Sequence, residues 1–205
     1  MAMSHLLQSV RRHTLSDYLS LDNAAGPKHE FHDGLVVAMS GGSIKHAAIL
    51  TNIPIAVAAA LKGTSCRPYG SDLRIYVRSV NAVFYPDASI ICGETESDAG
   101  LPGGEAATNP VVIFEVLSPS TEKLDRTRKF SAYMQLQSLR EYVLVYSDQA
   151  RIESFLRQDD GAWTFSFVES FDAMLRLRSL NVSLSTRDIF AGVTFDPIPE
   201  PPTLG

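Results

Sequence analysis

The chain has 205 residues, a length that suits one domain with a sizeable core, and its 45% apolar and 20% charged residues are those of an ordinary globular protein. A formal net charge of −5 argues against a broad nucleic-acid-binding surface, but not against a local basic rim around an acidic site. The longest apolar run, residues 53–61, is too short to cross a bilayer and contains Pro54.

Residues 1–12 lack the apolar core and small-residue cleavage site of a signal peptide, so a cytoplasmic protein without membrane contact is expected. Thr14 is a candidate N-cap for a short helix over 14–21. Asp33-Gly34 sits between two extended pieces of 29–39 and predicts a β-hairpin. Ser43 is the candidate cap of a helix running to Leu61; its alanine-rich, nearly all-round apolar character implies burial against something large, with a kink at Pro54. Segments 72–77 and 83–92 read as strands, and 93–109 as a long surface loop. Residues 110–117 are an apolar run with one charge, the pattern of a strand buried on both faces. Ser118-Pro119-Ser120-Thr121 signals a helix start, with the helix reaching about Gln137. Strands over 141–146, 151–157 and 163–168 and a closing helix over 185–191 follow. The class is α+β, with a mixed central sheet covered by two long helices. One domain spans 1–195, and a proline-rich tail occupies 196–205.

Cys66 and Cys92 lie in separate strand-like segments without metal-ligand spacing and are expected to be reduced core residues.

Glu115 lies in the middle of the strand Val111-Val112-Ile113-Phe114-Glu115-Val116-Leu117. An unpaired carboxylate buried there costs on the order of 5 kcal/mol, so it is neutral, paired or bound to a cation. An ion pair with an arginine such as Arg74 is the plain alternative. A second acid, Asp87, follows Pro86 at a strand start or bulge, and its strand is expected to neighbour that of Glu115. Two carboxylates on adjacent strands repel unless a cation separates them, and hard oxygen ligands suit Mg²⁺ or Mn²⁺. Lys129 lies one turn before Tyr133 at the edge of the next helix's inward stripe. It is placed either to reach back over the end of the Glu115 strand or to pair with Asp125 at i,i+4. His29-Glu30-Phe31-His32 has the wrong spacing for a helical zinc motif, and its histidines are expected at the surface.

Pro86-Asp87, then Phe114-Glu115-Val116-Leu117-Ser118-Pro119-Ser120-Thr121, then Asp125 and Lys129 before Tyr133, resemble the Uma-two family of restriction-endonuclease-like proteins in the PD-(D/E)XK superfamily. Glu30, Asp33-Gly34, Met39-Ser40, His46 and Ser71-Asp72 resemble its N-terminal signature, and the likeness covers roughly 14–190. Leu117 stands where the superfamily has its lysine, so the resemblance transfers that role to Lys129. It implies a restriction-endonuclease-like core, a Mg²⁺- or Mn²⁺-dependent nuclease acting on nucleic acid, DNA first, and a catalytic set of Asp87, Glu115, Lys129 and Glu30, with Asp87 and Glu115 as metal ligands. His46, at the start of the first long helix, is a further candidate. A non-catalytic binding module on the same fold, or a hydrolase of another phosphoester, are the rival readings. The 151–155 and 163–168 strands offer an edge on which a homodimer would form.

Overall fold

A computed structural model describes residues 12–39, 41–98, 101, 106–118 and 121–195. Expectations for 1–11, for Ser40, for the middle of the 93–109 loop, for Pro119-Ser120 and for the tail 196–205 lie outside them.

Helix α1 (Leu15–Asp22) begins in a capping box: Thr14 Oγ1 accepts the Asp17 N–H and the Asp17 carboxylate accepts the Thr14 N–H. The hairpin forms as read, β1 (His29–His32) pairing antiparallel with β2 (Leu35–Ala38). Asp33 and Gly34 both take positive φ, 45° and 87°, as a two-residue turn matched to strand twist requires. Helix α2 (Ile44–Ala60) starts at its Ser43 cap, whose hydroxyl accepts the His46 N–H, and passes through Pro54 as one element. Its burial is one-sided: Ile49, Ile53 and Val57, one turn apart, are buried while Ile44 and Ile55 face solvent. Alanine on the outer face favours the helix without needing a partner.

The expected strand over 83–92 is two strands in two different sheets. β5 (Ala82–Phe84) joins β1 and β4 (Ile75–Val77) in a four-stranded antiparallel sheet of order β2-β1-β5-β4. β6 (Ala88–Cys92) belongs to a six-stranded sheet with β3 (Cys66–Gly70), β7 (Val112–Leu117), β8 (Glu141–Tyr146), β9 (Arg151–Arg157) and β10 (Trp163–Glu169), in the order β10-β9-β8-β7-β6-β3. The break falls at Tyr85-Pro86-Asp87, where Pro86 cannot donate to a ladder. In the larger sheet β3, β6 and β7 run antiparallel, β7 and β8 are parallel, and β9 and β10 complete an antiparallel edge.

The central sheet is therefore mixed, as expected, but among the described residues only α2 is long. The second helix is α3 (Glu122–Leu124), a π-helical stretch (Asp125–Lys129) and α4 (Phe130–Tyr133), stopping short of Gln137. One sheet face packs on α2 and on the β11 (Met174–Leu177), β12 (Val182–Ser185) and α5 (Thr186–Ile189) unit, through Ile53, Val57, Phe114, Val143, Leu177 and Leu184. The other face packs on α4 and the smaller sheet through Ile113, Leu144, Tyr133 and Phe84. Each of these side chains contributes roughly 1.5–3 kcal/mol by leaving water.

Cys66 and Cys92 are register partners on β3 and β6 and form a disulfide, contrary to the reduced pair expected. The pairing depends on strand register, which the spacing of 26 residues does not reveal.

Candidate active site

Asp87 stands one residue before β6, where the β6–β7 ladder ends at Ala88 opposite Phe114. Beyond that point Val116 has no strand partner on this side, and the Asp87 side chain takes the place of one. Its Oδ2 accepts the Val116 N–H at 2.6 Å. The carboxylate thus extends the sheet and is fixed beside Glu115, the residue before Val116.

Glu115 points to the face shared with Ile113 and Leu117, as alternation requires, and is 2% exposed. Its partner is not an arginine: Arg74 pairs instead with Asp22 at 2.7 Å, next to the Tyr85 hydroxyl. The Lys129 Nζ and the Tyr133 hydroxyl each donate to Glu115 Oε1 at 3.2 Å. Lys129, 5% exposed, also lies 2.9 Å from Glu30 Oε1 and 3.4 Å from Asp125 Oδ1. Both sequence readings of Lys129 therefore hold at once, and Asp125 is a buried member of the cluster. The wider π-helical turn over Asp125–Lys129 keeps Asp125, Lys129 and Tyr133, spaced four apart, on one inward face. Such π segments recur at functional positions.

Glu30 enters from β1, and its Oε1 also accepts the Tyr85 N–H at 3.1 Å. His46, in the first turn of α2, places Nε2 3.6 Å from Asp87 Oδ2. Gly42 makes room for it: a Cβ on residue 42 would sit 2.6 Å from His46 Nδ1. His29 and His32, expected at the surface, are half-buried.

Glu30, His46, Asp87, Glu115, Asp125 and Lys129 line a cavity of about 220 Å³, bounded also by Val37, Ala38 and Met39, by Ser118 and Thr121, and by Leu124. Glu30, Asp87, Glu115 and Asp125 face one lysine, a surplus of acid. Burial, only partly offset by Lys129 and reinforced by the other three acids, holds Glu115 well above the usual carboxylate range. Burial likewise raises Asp125. On Lys129 burial acts downward, but Glu115, Glu30 and Asp125 outweigh it and hold the ammonium charged. The Asp87 carboxylate raises the His46 imidazole above its ordinary value.

Among the described residues no three His, Cys, Asp or Glu side chains form a ready-made metal cage. The donor set nevertheless fits a hard divalent ion. The second oxygens, Asp87 Oδ1 and Glu115 Oε2, accept no hydrogen bond among the described residues, and the buried Asp125 Oδ1 lies 3.4 Å from the Lys129 ammonium. Mg²⁺ is commonly held by one or two carboxylates, with water and substrate phosphate completing its shell.

Fold and cavity together define an α+β protein whose acids and single lysine meet where two sheets adjoin. The chain belongs to the Uma2 family, described as "Putative restriction endonuclease", whose profile matches residues 15–188. Two uncharacterised proteins of Synechocystis sp. are similar to it. One is 32% identical over 87% of this chain and 92% of its own length; the other is 29% identical over 73% and 84%. The fold is also that of a crystal structure described as a putative nuclease belonging to DUF820 from Anabaena variabilis. That match has a TM-score of 0.68 and 20% identity, and covers 87% of this chain and 97% of that one. Among the described residues no helix is long and apolar enough to cross a membrane.

Asp125 and Tyr133 join the cluster through Lys129 and Glu115, beyond the set the sequence singles out. Their i,i+4 spacing about Lys129 was the available signal, and a solvated Asp125–Lys129 pair gives the same spacing.

Proposed function

We propose that this chain is a metal-dependent nuclease of the PD-(D/E)XK type that hydrolyses phosphodiester bonds of nucleic acid, DNA first. One observation carries the reading: Asp87, just before β6, and Glu115 on β7 share a cavity with a buried Lys129 and keep one oxygen each free of donors among the described residues. Family membership supports it.

Asp87 and Glu115 are the proposed ligands of Mg²⁺ or Mn²⁺. When bound, such an ion neutralises a scissile phosphate and lowers the pKa of a ligated water. The chain's own residues do the rest. Lys129, held charged by Glu115, Glu30 and Asp125, presents its ammonium to negative charge that develops on the phosphate. Glu30 and Tyr133 keep Lys129 and Glu115 in register, and burial limits the water that would screen them. Val37, Met39 and Leu124 give the cavity mouth an apolar wall.

The test is cleavage of plasmid and oligonucleotide substrates with Mg²⁺ or Mn²⁺. Activity is expected in the native chain and lost in Glu115→Ala; unchanged cleavage by that variant overturns the assignment. Titration calorimetry with Mn²⁺ separates the enzyme from a non-catalytic binding module, since a module with a decayed site takes up no metal at millimolar concentration.

A further inference from the structure

The two edges of the six-stranded sheet are built differently. β3 carries Arg67, Pro68 and Gly70 and is tied to its neighbour by the Cys66–Cys92 bridge. Proline, charge and glycine are the usual guards against strand pairing. β10 reads Trp-Thr-Phe-Ser-Phe-Val-Glu, with no proline, glycine or lysine and one charge, at its end. It pairs with β9 on one side, and among the described residues no strand covers the other. Phe165 and Phe167, two apart and on one face, are 48% and 52% exposed. Phe155 lies against Phe165, and Phe165 against Phe167, with ring centroids 5.2 and 6.0 Å apart. An unguarded aromatic edge of this kind is a pairing surface.

The charges around it point to a protein partner rather than to a polyanion. Arg151 is already paired with Glu153 and Glu169, at 2.9 and 3.1 Å, and Arg126 with Glu122 and Glu153. The acidic end of β10 is Glu169. At the other end Arg157 stacks over Trp163, 4.8 Å from the ring centroid, and donates to the carbonyls of Met134 and Leu136. Neither Arg157 nor the neighbouring Arg140 has a carboxylate within ion-pair distance among the described residues. The strand therefore ends in Glu169, shared with Arg151, on one side and beside the uncompensated Arg157 on the other.

We infer that β10 is the contact of a two-fold homodimer, pairing antiparallel with β10 of a second copy about Ser166. In that register Phe165 of one copy faces the partner's Phe167 and vice versa, both on one face, as an isologous contact requires. Glu169 of each copy meets the Trp163–Arg157 end of the other. Two six-stranded sheets become one. A slip by one residue would carry the phenylalanines to opposite faces, so the register is specified. The buried core is aromatic with charge at its rim, the composition of a specific interface. A contact made by one short strand edge is expected to hold a dimer with a dissociation constant of about 1–100 μM.

Sedimentation of the full chain across that concentration range tests the inference. Dimer is expected to accumulate, and Phe165→Lys with Phe167→Lys is expected to abolish it while circular dichroism stays native. Should that variant unfold, hydrogen exchange on the native chain decides instead, because those amides of 163–169 that point away from β9 become protected only as concentration rises. A chain that stays monomeric at about 100 μM overturns the inference. So does protection of β10 that appears only with a single-stranded oligonucleotide, which would make the aromatic strip a stacking surface.

Discussion

Asp87 Oδ2 and the Val116 N–H, 2.6 Å apart, continue the β6–β7 ladder after the strand itself has ended at Ala88. In the proposed site the aspartate serves the sheet through Oδ2 and a metal ion through Oδ1, and the two roles separate by substitution. Asp87→Ala leaves a buried N–H unsatisfied and is expected to cost about 1–3 kcal/mol. Asp87→Asn keeps a carbonyl acceptor, so its stability should stay within about 1 kcal/mol of the native chain, while Mn²⁺ binding is lost. Urea unfolding and calorimetry on both variants check this. An asparagine variant as unstable as the alanine one would remove the ladder role.

Gly42 controls His46 by omission. A methyl group at residue 42 would stand 2.6 Å from Nδ1 and 2.8 Å from Cγ of the ring, so Gly42→Ala is expected to push the imidazole away from Asp87. The raised His46 pKa, which comes chiefly from Asp87, should then fall toward its ordinary value. Proton NMR titration of His46 reads this directly. An unchanged pKa would mean that the ring is held by something other than the room Gly42 leaves.

How much of this was legible in the sequence follows from which forces are local. The hairpin was, because Asp33-Gly34 supplies both positive φ values within two residues. Glu115 was, because a charge in an otherwise apolar strand needs a partner wherever the chain goes. The division of 83–92 between two sheets was not: both halves have strand composition, and only Pro86 hints at a break. β11 and β12 went unread because their turn is made by Asn181 at φ 54°, without a glycine to mark it. The disulfide and the π-helical stretch depend on register and packing, and spacing carries neither.

The Cys66–Cys92 bridge closes a loop of 26 residues and holds the β3 edge to the strand that leads from Asp87. Restricting the unfolded chain over a loop of that length is worth about 3 kcal/mol. Cys66→Ser with Cys92→Ser, or reduction of the native chain, is expected to lower stability by that order. The cavity should keep its shape, because Asp87 lies at the far end of β6 from Cys92. Chemical denaturation with and without reductant measures the first part, and Mn²⁺ affinity in the double variant measures the second.

Lys129 is the positive charge on which the cluster's balance turns. Lys129→Met removes it and leaves Glu30, Glu115 and Asp125 buried together without a cation, a loss of about 3–5 kcal/mol near pH 8. The pH dependence has a definite sign. Glu115 already titrates above its ordinary value, and loss of the ammonium raises it further, so the folded variant binds more protons than the unfolded chain. A raised carboxylate favours the fold below its unfolded pKa of about 4.3, and that support is lost as pH rises through the folded value. The deficit of the variant should accordingly be small near pH 5 and grow steadily toward pH 8. Paired urea titrations of native and variant chains across that range give the difference at each pH. A deficit equal at every pH would mean that Lys129 acts through packing of its aliphatic stem and not through its charge.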